Sequence, residues 1–584
     1  MPTITALDDA RTALRRFARA TNLMLSGRTF IVIGDDDSAD AVRTVMLACG
    51  GRESSDSPDY AFVTAVASEG EGSASASERA VSAGATVVVD LNGATTRALT
   101  ERMPRPVGPG TAPARPGSGH ARHGVRDGIL SVEEIDLVPS WPELPMRAEL
   151  PDAAGRLEWA GAHMPLAASF AADLKNGGRI AGRRIAVSMV LEPKTAVLAL
   201  LLRDAGADVV VFAHRYETDD DVAGELRSRG IPVFADSSGD SENDRRLALQ
   251  LLDTEPELLL DDGAHVIRLA QELRPHLAEQ MIGAAEETTS GVRALRDLEE
   301  HDDDGRRGLR MPVVAVNDAV TKTRFDNRYG TGQSCVFALA DVLEAAGSQR
   351  HGTGGGLVSS LSGATVTVIG FGPVGQGVAQ FAVALGSEVR VVDTDPRAEL
   401  EAAFTGYRTG TADALTADAD VVVSATGVAH TISLDLMRSA ADRTVFAVAG
   451  GIDDEIETAR LRDETTVERV DEHLERFTFD EGHSVWVVDD GGCVNITAGE
   501  GNPIEIMDLS FAAQLQAVST LLSGSLREPG LYPLPVDADR EIARRALALN
   551  GFRGRAGAGN RGAVGRGGGV GADRGAGNCS GAAS

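Results

Sequence analysis

Short apolar runs alternate with stretches of helical periodicity through the middle of the chain. Helical stretches such as Thr195–Ala205 and Asp219–Gly230 separate runs of strand length, namely Arg184–Met189, Ala207–Phe212, Ile231–Phe234 and Leu258–Asp262. This alternation is typical of a parallel, doubly wound sheet, so residues 133–334 are predicted to form an α/β domain. Ligands of such sheets bind at the carboxyl ends of the strands. Asp262, which closes one strand, therefore lies where a reacting carboxylate is expected.

A second α/β unit is predicted over residues 335–500, and a glycine-rich turn follows its first strand. The turn contains Gly370, Gly372, Pro373, Val374 and Gly375. A helix to Gly386 follows, and then a strand, Glu388–Asp393, that ends on an acid. A dinucleotide fingerprint consists, in this order, of a strand, a G-x-G-x-x-G turn, a helix and a second strand that ends on an acidic residue. Asp393 can accept a hydrogen bond from a ribose 2′-hydroxyl and would repel a 2′-phosphate, which predicts NAD rather than NADP.

Residues 1–100 nearly repeat part of this unit. Leu25–Gly34 resembles Leu361–Gly370, but the turn that follows differs. It contains Asp35, Asp36 and Asp37, and Asp36 and Ala39 stand where the second and third glycines are expected. Three aspartates would repel a pyrophosphate, which needs close backbone approach and a positive helix N-terminus. We interpret the segment as a degenerate Rossmann-like domain with further strands near 61–64 and 85–90. An unrelated small α/β unit is the alternative.

The remaining segments differ in composition. Residues 101–132 are rich in Pro, Gly, Arg and Ser and are predicted to be a linker. Residues 501–551, with helices at Ala512–Leu522 and Asp537–Asn550, are expected to return to the substrate domain. Residues 552–584 are mostly Gly, Ala and Arg, which cannot bury a core, so a disordered tail is predicted.

The charge balance narrows the possible partners. The sequence has 56 Lys and Arg residues and 86 Asp and Glu residues, which gives a formal charge of −30. This negative charge disfavours nucleic acid and anionic membranes as partners. The four cysteines are scattered without a C-x-x-C pair, so neither a metal site nor a disulfide framework is predicted. No apolar run has membrane-spanning length and no signal sequence is evident. These features predict a cytoplasmic protein.

One polar stretch does not fit a simple core helix. Residues 316–330 place Lys322, Asp326 and Asn327 within six positions and lack an apolar face of helical period. Upstream lie Leu260–Gly263, with two aspartates, and Glu286–Gly291, with two glutamates. An isolated Lys and Asp four residues apart would be a surface ion pair.

Together with the glycine turn, these motifs resemble, in order and spacing, those of the S-adenosylhomocysteine hydrolase family. The resemblance covers about 158–552 and is greatest to the archaeal type. It implies transient oxidation of a nucleoside 3′-hydroxyl by tightly held NAD. By resemblance, Lys322, Asp326 and Glu287 would act at the diol, and Asp262 would take the C4′ proton. A nearby nicotinamide would lower the pKa of Lys322 and suit it as a base.

The resemblance also implies binding residues and an assembly. Cofactor contacts are expected from Thr288, Thr289, Ser290, Asn327, Thr426 and Asn495. Substrate contacts are expected from Glu192, Lys194 and Asn502. Members form homo-oligomers, so a dimer or tetramer is expected. Their C-terminal arm, which reaches the neighbouring subunit's cofactor, has no counterpart motif here.

The positions that handle the 5′ group depart from the family pattern. Histidines of the family fall at Val190, Gly451 and Asn502, and His265 is the only candidate substitute. Three functions therefore stay open. The first is a nucleoside dehydratase or lyase that oxidises C3′ and eliminates across C4′–C5′. The second is S-adenosylhomocysteine hydrolysis, and the third is a regulatory paralogue that holds NAD.

Overall fold

The computed structural model describes residues 2–34, 36–55, 58–64, 87–90, 124–126, 129–132, 152–300, 308–348, 357–450 and 454–549. Within these ranges the chain forms three sheets flanked by helices. The predicted α/β class with parallel, doubly wound sheets is confirmed. The tail predicted for 552–584 lies outside the described residues, as does Gly451.

The N-terminal sheet has six strands in the order β2-β1-β3-β4-β6-β5. They are β1 (Thr29–Ile33), β2 (Arg52–Glu53), β3 (Tyr60–Val63), β4 (Val87–Asp90), β5 (Gly124–Arg126) and β6 (Ile129–Val132). Helices Ile4–Thr21 and Asp37–Ala48 belong to this unit. Phe17 of the first helix packs edge-on against Tyr60, with ring centroids 5.1 Å apart, and against Phe62 at 5.7 Å. This aromatic contact fixes the helix on the sheet.

Two of these strands correct the linker prediction for 101–132, which does not hold at 124–126 and 129–132. Strands β5 and β6 pair antiparallel with Arg126 opposite Ile129, and β6 pairs parallel with β4. The sequence between them is Asp127-Gly128, a dipeptide typical of two-residue hairpin turns. The Pro- and Gly-rich composition of the whole segment concealed this local hairpin pattern.

The substrate domain contains a parallel sheet whose central strands carry the site. Its first six strands are β7 (Arg184–Ser188), β8 (Asp208–Phe212), β9 (Val233–Phe234), β10 (Leu258–Asp261), β11 (Gly283–Glu286) and β12 (Pro312–Ala315). The helices are Ala153–Ala162, Pro165–Gly177, Pro193–Asp204, Asp220–Ser228, Ser241–Leu252, His265–Leu273, Pro275–Gln280 and Thr289–Glu300. Strands β10 to β12 are buried along their whole length, as expected for a parallel sheet covered on both faces.

The cofactor domain has eight strands in the order β15-β14-β13-β16-β17-β20-β19-β18. They are β13 (Thr365–Ile369), β14 (Glu388–Val392), β15 (Arg408–Thr409), β16 (Val421–Ser424), β17 (Val445–Val448), β18 (Thr466–Asp471), β19 (Leu474–Thr478) and β20 (Ser484–Val488). Helices are Pro373–Ala384, Pro396–Thr405, Ala412–Thr416, Leu434–Ser439 and Thr458–Glu464. The first five strands are parallel, while β18 and β19 form an antiparallel hairpin that extends one edge.

The chain crosses between the substrate and cofactor domains twice. It leaves through helix Thr331–Ser348 and returns through the short helix Val494–Thr497 into helix Ile504–Leu522. Strand β21 (Gly530–Pro533) then pairs parallel with β12, and helix Val536–Leu549 follows. The C-terminal segment thus completes the substrate sheet, which takes the order β21-β12-β11-β10-β7-β8-β9.

Candidate active site

The reacting carboxylates lie at one edge of the substrate sheet because four parallel strands end there in register. Asp261 of β10 is paired with Ser188 of β7 and with Glu286 of β11, and Glu286 is paired with Ala315 of β12. Asp262, Glu287 and the segment from Val316 are the next residues after these strand ends. Short 3₁₀, α- and π-helical turns follow β12 at Val316–Asp318, Val320–Thr323 and Asp326–Gly330.

Lys322 is the centre of this edge and is buried, with 3% of its surface exposed. Its Nζ lies 2.8 Å from Asp326 Oδ2 and 3.8 Å from Glu287 Oε1, and it donates to Asn327 Oδ1 at 2.9 Å. The π-helical turn brings Asp326 and Asn327 to the same ammonium group, which is a frequent use of such turns at functional sites.

The charge state of Lys322 is set by its two carboxylate neighbours. Burial acts to lower its pKa, but Asp326 and Glu287 outweigh burial, so the pKa lies above its ordinary value. The side chains of the chain therefore hold Lys322 as an ammonium ion. The lowering of this pKa by a bound nicotinamide stays a prediction.

Glu287 is the better-poised proton acceptor. Burial raises its pKa to about 7, with Lys322 opposing and Asp326 adding to the rise. Ser510 donates to Oε1, and Gln514 Nε2 donates to Oε2 at 2.5 Å. Both partners come from helix Ile504–Leu522, so the returning segment orients this carboxylate. Sequence reasoning missed Ser510 and Gln514 because they lie more than 200 positions from Glu287.

Asp262 lies at the end of β10, within range of the charge on Lys322. Its backbone N–H donates to the Ser188 carbonyl at 2.9 Å, which fixes the start of the side chain. Burial raises its pKa, and Lys322 and His265 oppose the rise. A carboxylate with a raised pKa is a stronger base than an ordinary one, as proton abstraction from carbon requires.

Glu286 is a further residue that the sequence analysis passed over. Its carboxylate accepts from the N–H groups of Gly263 and Ala264, each at 2.9 Å, and from Thr288 N–H at 3.0 Å. It therefore holds the turn that follows Asp262. A Cβ at Gly291 would lie 2.1 Å from its Oε1, so the glycine makes room for this buried carboxylate. Burial raises the pKa of Glu286 well above its ordinary range.

Asn502 joins the segment that returns to the substrate domain to residues 320–330, which are called the catalytic turn below. Its Nδ2 donates to Asp326 Oδ1 at 2.5 Å and to Thr331 Oγ1 at 3.1 Å. Its Oδ1 accepts from Ser334 Oγ and Asn495 Nδ2, both at 2.9 Å. Both ends of the amide are thus engaged. The side chain holds Asp326 toward Lys322 and has no titratable proton to exchange.

Glu192 and Lys194, predicted to contact substrate, also have structural partners. Glu192 caps helix Pro193–Asp204 by accepting from the N–H groups of Lys194 and Thr195 at 2.9 and 3.0 Å. Lys194 Nζ lies 2.6 Å from Glu192 Oε2 and donates to the Glu500 carbonyl at 2.8 Å. The pair therefore braces the segment that leads to Asn502.

The glycine turn of the cofactor domain has the close backbone approach that a dinucleotide requires. Gly370 has φ 95°, and a Cβ at Gly375 would lie 1.8 Å from the Gly370 carbonyl oxygen. A Cβ at Gly372 would meet no heavy atom within 4 Å, which leaves space at the N-terminus of helix Pro373–Ala384. Pro373 and Val374 open this helix. Asp393 accepts from Phe371 N–H at 2.6 Å and so orders the turn.

The same helix lies directly against the catalytic turn. A Cβ at Gly377 would lie 1.8 Å from the Arg328 carbonyl oxygen, and one at Gly332 would lie 2.6 Å from Gly377. These two glycines let the cofactor helix and the π-helical turn touch backbone to backbone. The helix that follows the glycine turn is thereby in direct contact with the segment that carries Lys322.

The other predicted cofactor contacts fall into two groups. Thr288, Thr289 and Ser290 lie at the start of helix Thr289–Glu300, where Thr289 donates to Asn317 Oδ1 at 3.0 Å. Asn327 Nδ2 also donates to Asn317 Oδ1, at 3.1 Å. Thr426 lies across the cofactor domain, where its Oγ1 donates to Glu455 Oε2 at 3.0 Å. Sequence reasoning missed Asn317 and Glu455, although both are buried.

The N-terminal repeat of the turn is closed by its own side chains. Asp36 caps helix Asp37–Ala48, accepting from Ala39 N–H at 2.8 Å. Arg43 donates to the carbonyls of Gly34 and Val32 at 3.1 and 3.3 Å. A side chain thus caps this helix, whereas helix Pro373–Ala384 of the cofactor domain has no side-chain cap.

Two residues that bear on the departure from the family pattern, Val190 and His265, are described by the structure. Val190 is half-buried and His265 is exposed at the first position of helix His265–Leu273. Among the described residues, no three His, Cys, Asp or Glu side chains form a potential metal site. A search of the same residues finds no helix that is both long and apolar enough to span a bilayer.

The protein has a Rossmann-type NAD domain, and a lysine–carboxylate site lies at the edge of the sheet in the adjoining domain. Together these features define it as an NAD-dependent enzyme. The NAD-binding domain model of S-adenosyl-L-homocysteine hydrolase matches residues 356–501, and the model for the hydrolase itself matches residues 152–275. The S-inosyl-L-homocysteine hydrolase of Methanopyrus kandleri is 36% identical over 73% of this chain and 95% of that protein. The adenosylhomocysteinase of Thermotoga maritima is 36% identical over 68% and 95%. The chain belongs to the S-adenosylhomocysteine hydrolase family.

Proposed function

We propose that the protein oxidises a nucleoside at C3′ with bound NAD and then eliminates a group across C4′–C5′, as a dehydratase or lyase. The observation that carries the proposal is the contrast between the two halves of the site. Lys322, Asp326, Glu287 and Asp262 share one sheet edge. At the family's histidine positions, Val190 has no proton to exchange and Asn502 has both ends of its amide engaged.

The first half-reaction uses Lys322 and Glu287. When bound, NAD supplies the two-electron oxidation of C3′ and its later reversal. The Lys322 ammonium, held by Asp326 and Asn327, stabilises developing charge on the 3′ oxygen. Glu287, whose pKa is about 7, takes the hydroxyl proton at neutral pH. The amide of Asn502 keeps Asp326 turned toward Lys322 throughout.

The elimination uses Asp262. A 3′-ketone makes the C4′ hydrogen acidic, and the raised pKa of Asp262 suits that proton. The electron pair of the C4′–H bond forms the C4′–C5′ double bond, and the 5′ group leaves with its own bonding pair. Reduction of the ketone then restores the 3′-hydroxyl. The net change is loss of the 5′ group and one proton, with the cofactor unchanged.

Of the family's histidine positions that the structure describes, neither Val190 nor Asn502 has a titratable proton for the addition of water at C5′. A missing general acid–base group costs about 10²- to 10⁴-fold in the step it serves. We therefore expect slow addition of water at C5′ and slow departure of poor leaving groups. The substrate is a small nucleoside of specialised metabolism, and the active form is a homo-oligomer, as the family resemblance implies.

Hydrolysis of S-adenosylhomocysteine is the second candidate, and the relatives named as hydrolases favour it. One contact of this chain favours it as well. The ring of His265 lies against Gly263, where an added Cβ would be 2.8 Å from it, on the turn that follows Asp262. From there an imidazole could supply the proton that the altered positions lack. The two candidates share the redox half and differ only in whether water adds.

Both half-reactions can be followed separately. The enzyme is incubated with adenosine or inosine in deuterated water, while reduced-nicotinamide absorbance and C4′ exchange are measured. Asp262→Asn should keep the absorbance and stop the exchange, and Lys322→Ala should stop both. Asp508→Asn is the matched control, since burial raises the pKa of Asp508 to about 7 but its carboxylate caps a helix through Leu166 and Ala167. Exchange that survives Asp262→Asn would refute the assigned base.

A further inference from the structure

The N-terminal domain lies outside both family matches, which begin at residue 152, and the catalytic site does not use it. In its glycine turn, Asp36 and Arg43 bond to the backbone. The domain nevertheless contacts the rest of the molecule at several places, including Arg11 with Ser362 and the Thr21 carbonyl with Trp159. One group of these contacts lies where the chain crosses between the substrate and cofactor domains.

The outgoing crossing is held through Gln333. Its Oε1 accepts from Leu25 N–H at 2.9 Å, and its Nε2 donates to the Leu23 carbonyl at 3.0 Å. Gln333 is buried, with 2% exposed. It lies between Gly332, which touches the cofactor helix, and Ser334, which donates to Asn502. A double hydrogen bond at this point fixes the first turn of helix Thr331–Ser348.

The returning crossing is held by the same short segment of the N-terminal domain. Ile504 N–H donates to the Asn22 carbonyl at 2.9 Å, and Met24 N–H donates to Glu505 Oε2 at 2.9 Å. Arg28 reinforces the second contact with an ion pair to Glu505 at 3.3 Å. Tyr60 donates to the Met24 carbonyl at 2.7 Å and so anchors the segment to the N-terminal sheet.

Ion pairs extend the contact along the outgoing helix. Arg19 lies 2.7 Å from Asp341 and Arg16 lies 3.3 Å from Glu344, while the buried Arg15 pairs with both carboxylates. The first helix of the N-terminal domain is therefore bonded side by side to the helix that leaves the catalytic turn. Most of these groups are half-buried or buried, so solvent screening weakens them little.

We propose that the N-terminal domain is a built-in brace on the two interdomain crossings, and that it slows the opening of the cleft between the substrate and cofactor domains. Opening by hinge motion requires the crossing segments to change direction. Residues 22–25 bond to both crossings at once, so either crossing can rotate only if these bonds break. The consequence is slow release of the bound dinucleotide.

The test is the dissociation rate of NAD from the full-length protein, measured by exchange of labelled NAD for unlabelled NAD. The double variant Arg28→Met with Tyr60→Phe removes two anchors of the segment without touching a site residue. The variant loses the neutral hydrogen bond of Tyr60 to Met24 and the ion pair of Arg28 with Glu505. The dissociation rate of NAD should therefore rise roughly tenfold or more. Hydrogen exchange should rise at 331–348 and 494–504.

Arg43→Gln is the matched control. Arg43 bonds only within the N-terminal domain in the contacts described, to Glu53, Asp40 and the Gly34 turn. This variant should lower the melting temperature of that domain and leave NAD release unchanged. A brace is contradicted if the double variant is folded but releases NAD at the wild-type rate. It is equally contradicted if Arg43→Gln accelerates release as much as the double variant does.

Discussion

Asn502→Asp is the substitution that most sharply probes the link between the returning segment and the catalytic turn. The amide nitrogen of Asn502 lies 2.5 Å from Asp326 Oδ1, and Asp326 is buried, with 4% exposed. The variant preserves the side-chain shape and the acceptor for Ser334 and Asn495. It replaces a donor by a second carboxylate at the shortest contact of the network.

The expected cost follows from the geometry. Two unit charges about 2.5 Å apart repel by roughly 7 kcal/mol at an effective dielectric constant of ~20. The pair can avoid this repulsion by binding one proton. From an ordinary pKa of about 4, protonation at pH 7 costs roughly 4 kcal/mol at 1.36 kcal/mol per unit. The lower figure sets the cost, so we expect about 4 kcal/mol of destabilisation at pH 7.

The sign of the pH dependence is fixed by the same reasoning. The folded variant holds a proton that its unfolded chain releases above pH ~4, so its pKa is raised in the folded state. Stability relative to wild type is therefore retained near pH 4 and lost as pH rises. Urea unfolding at pH 5, 6 and 7 should give a deficit that grows by about 1.4 kcal/mol per unit.

Asn243→Asp provides the matched control for this experiment. Asn243 Nδ2 also donates to a carboxylate, Asp236 Oδ2 at 3.3 Å, but this contact is at the surface of the substrate domain. Solvent screening should make its effect small and nearly independent of pH. If Asn502→Asp and the wild type are equally stable across the pH range, the Asn502–Asp326 contact is refuted. The argument that Asn502 is fully engaged and cannot serve chemistry at the 5′ group would then fail as well.

Three further predictions concern the cofactor, the proton acceptor and the tail. Gly372→Asp should abolish NAD content, because a carboxylate would fill the open helix N-terminus. Asp36→Ala should lower stability by about 1 kcal/mol through its lost helix cap and keep NAD, and loss of NAD in this variant would overturn the assignment. Between pH 4.5 and about 7, folded Glu287 holds a proton that the unfolded chain releases. The free energy of unfolding of the wild type should therefore fall by roughly 3 kcal/mol across that window relative to Glu287→Gln. If urea unfolding gives the two proteins the same dependence of stability on pH, this prediction is wrong. Removal of residues 553–584 should leave sedimentation and NAD content unchanged, and loss of either would assign the tail a role in assembly.

The periodicity of the sequence predicts the elements of the two main domains closely. The strand predicted at Arg184–Met189 is Arg184–Ser188, and the helix predicted at Thr195–Ala205 is Pro193–Asp204. The strands predicted near 61–64 and 85–90 are β3 and β4. Strand Arg184–Ser188 and helix Pro193–Asp204 are largely buried and regular, so their apolar spacing carries the information. The helix predicted at Ala512–Leu522 begins eight residues earlier, at Ile504, because its buried first turns lack an amphipathic pattern.

Edge elements and long-range partners were less accessible to sequence reasoning. Strand β18 has no buried residue and β19 buries only Leu474 and Phe477, so their alternation is weak. Strand β21 was predicted as a connection, because its pairing partner β12 lies far away in sequence. The motifs identified Lys322, Asp326, Glu287 and Asp262. They could not identify Glu286 as the support of the Asp262 turn, nor the engaged state of Asn502. Both depend on contacts between segments that are distant in sequence.

The central claim is that elimination proceeds without efficient addition of water at C5′. The most direct measurement supplies S-adenosylhomocysteine or S-inosylhomocysteine to the NAD-loaded enzyme in water enriched in oxygen-18, and identifies the nucleoside product by mass spectrometry. The account predicts a 4′,5′-unsaturated nucleoside without the heavy isotope. Adenosine or inosine carrying oxygen-18 at the 5′-hydroxyl, formed at a rate that matches C4′ exchange, would contradict it and establish hydrolysis.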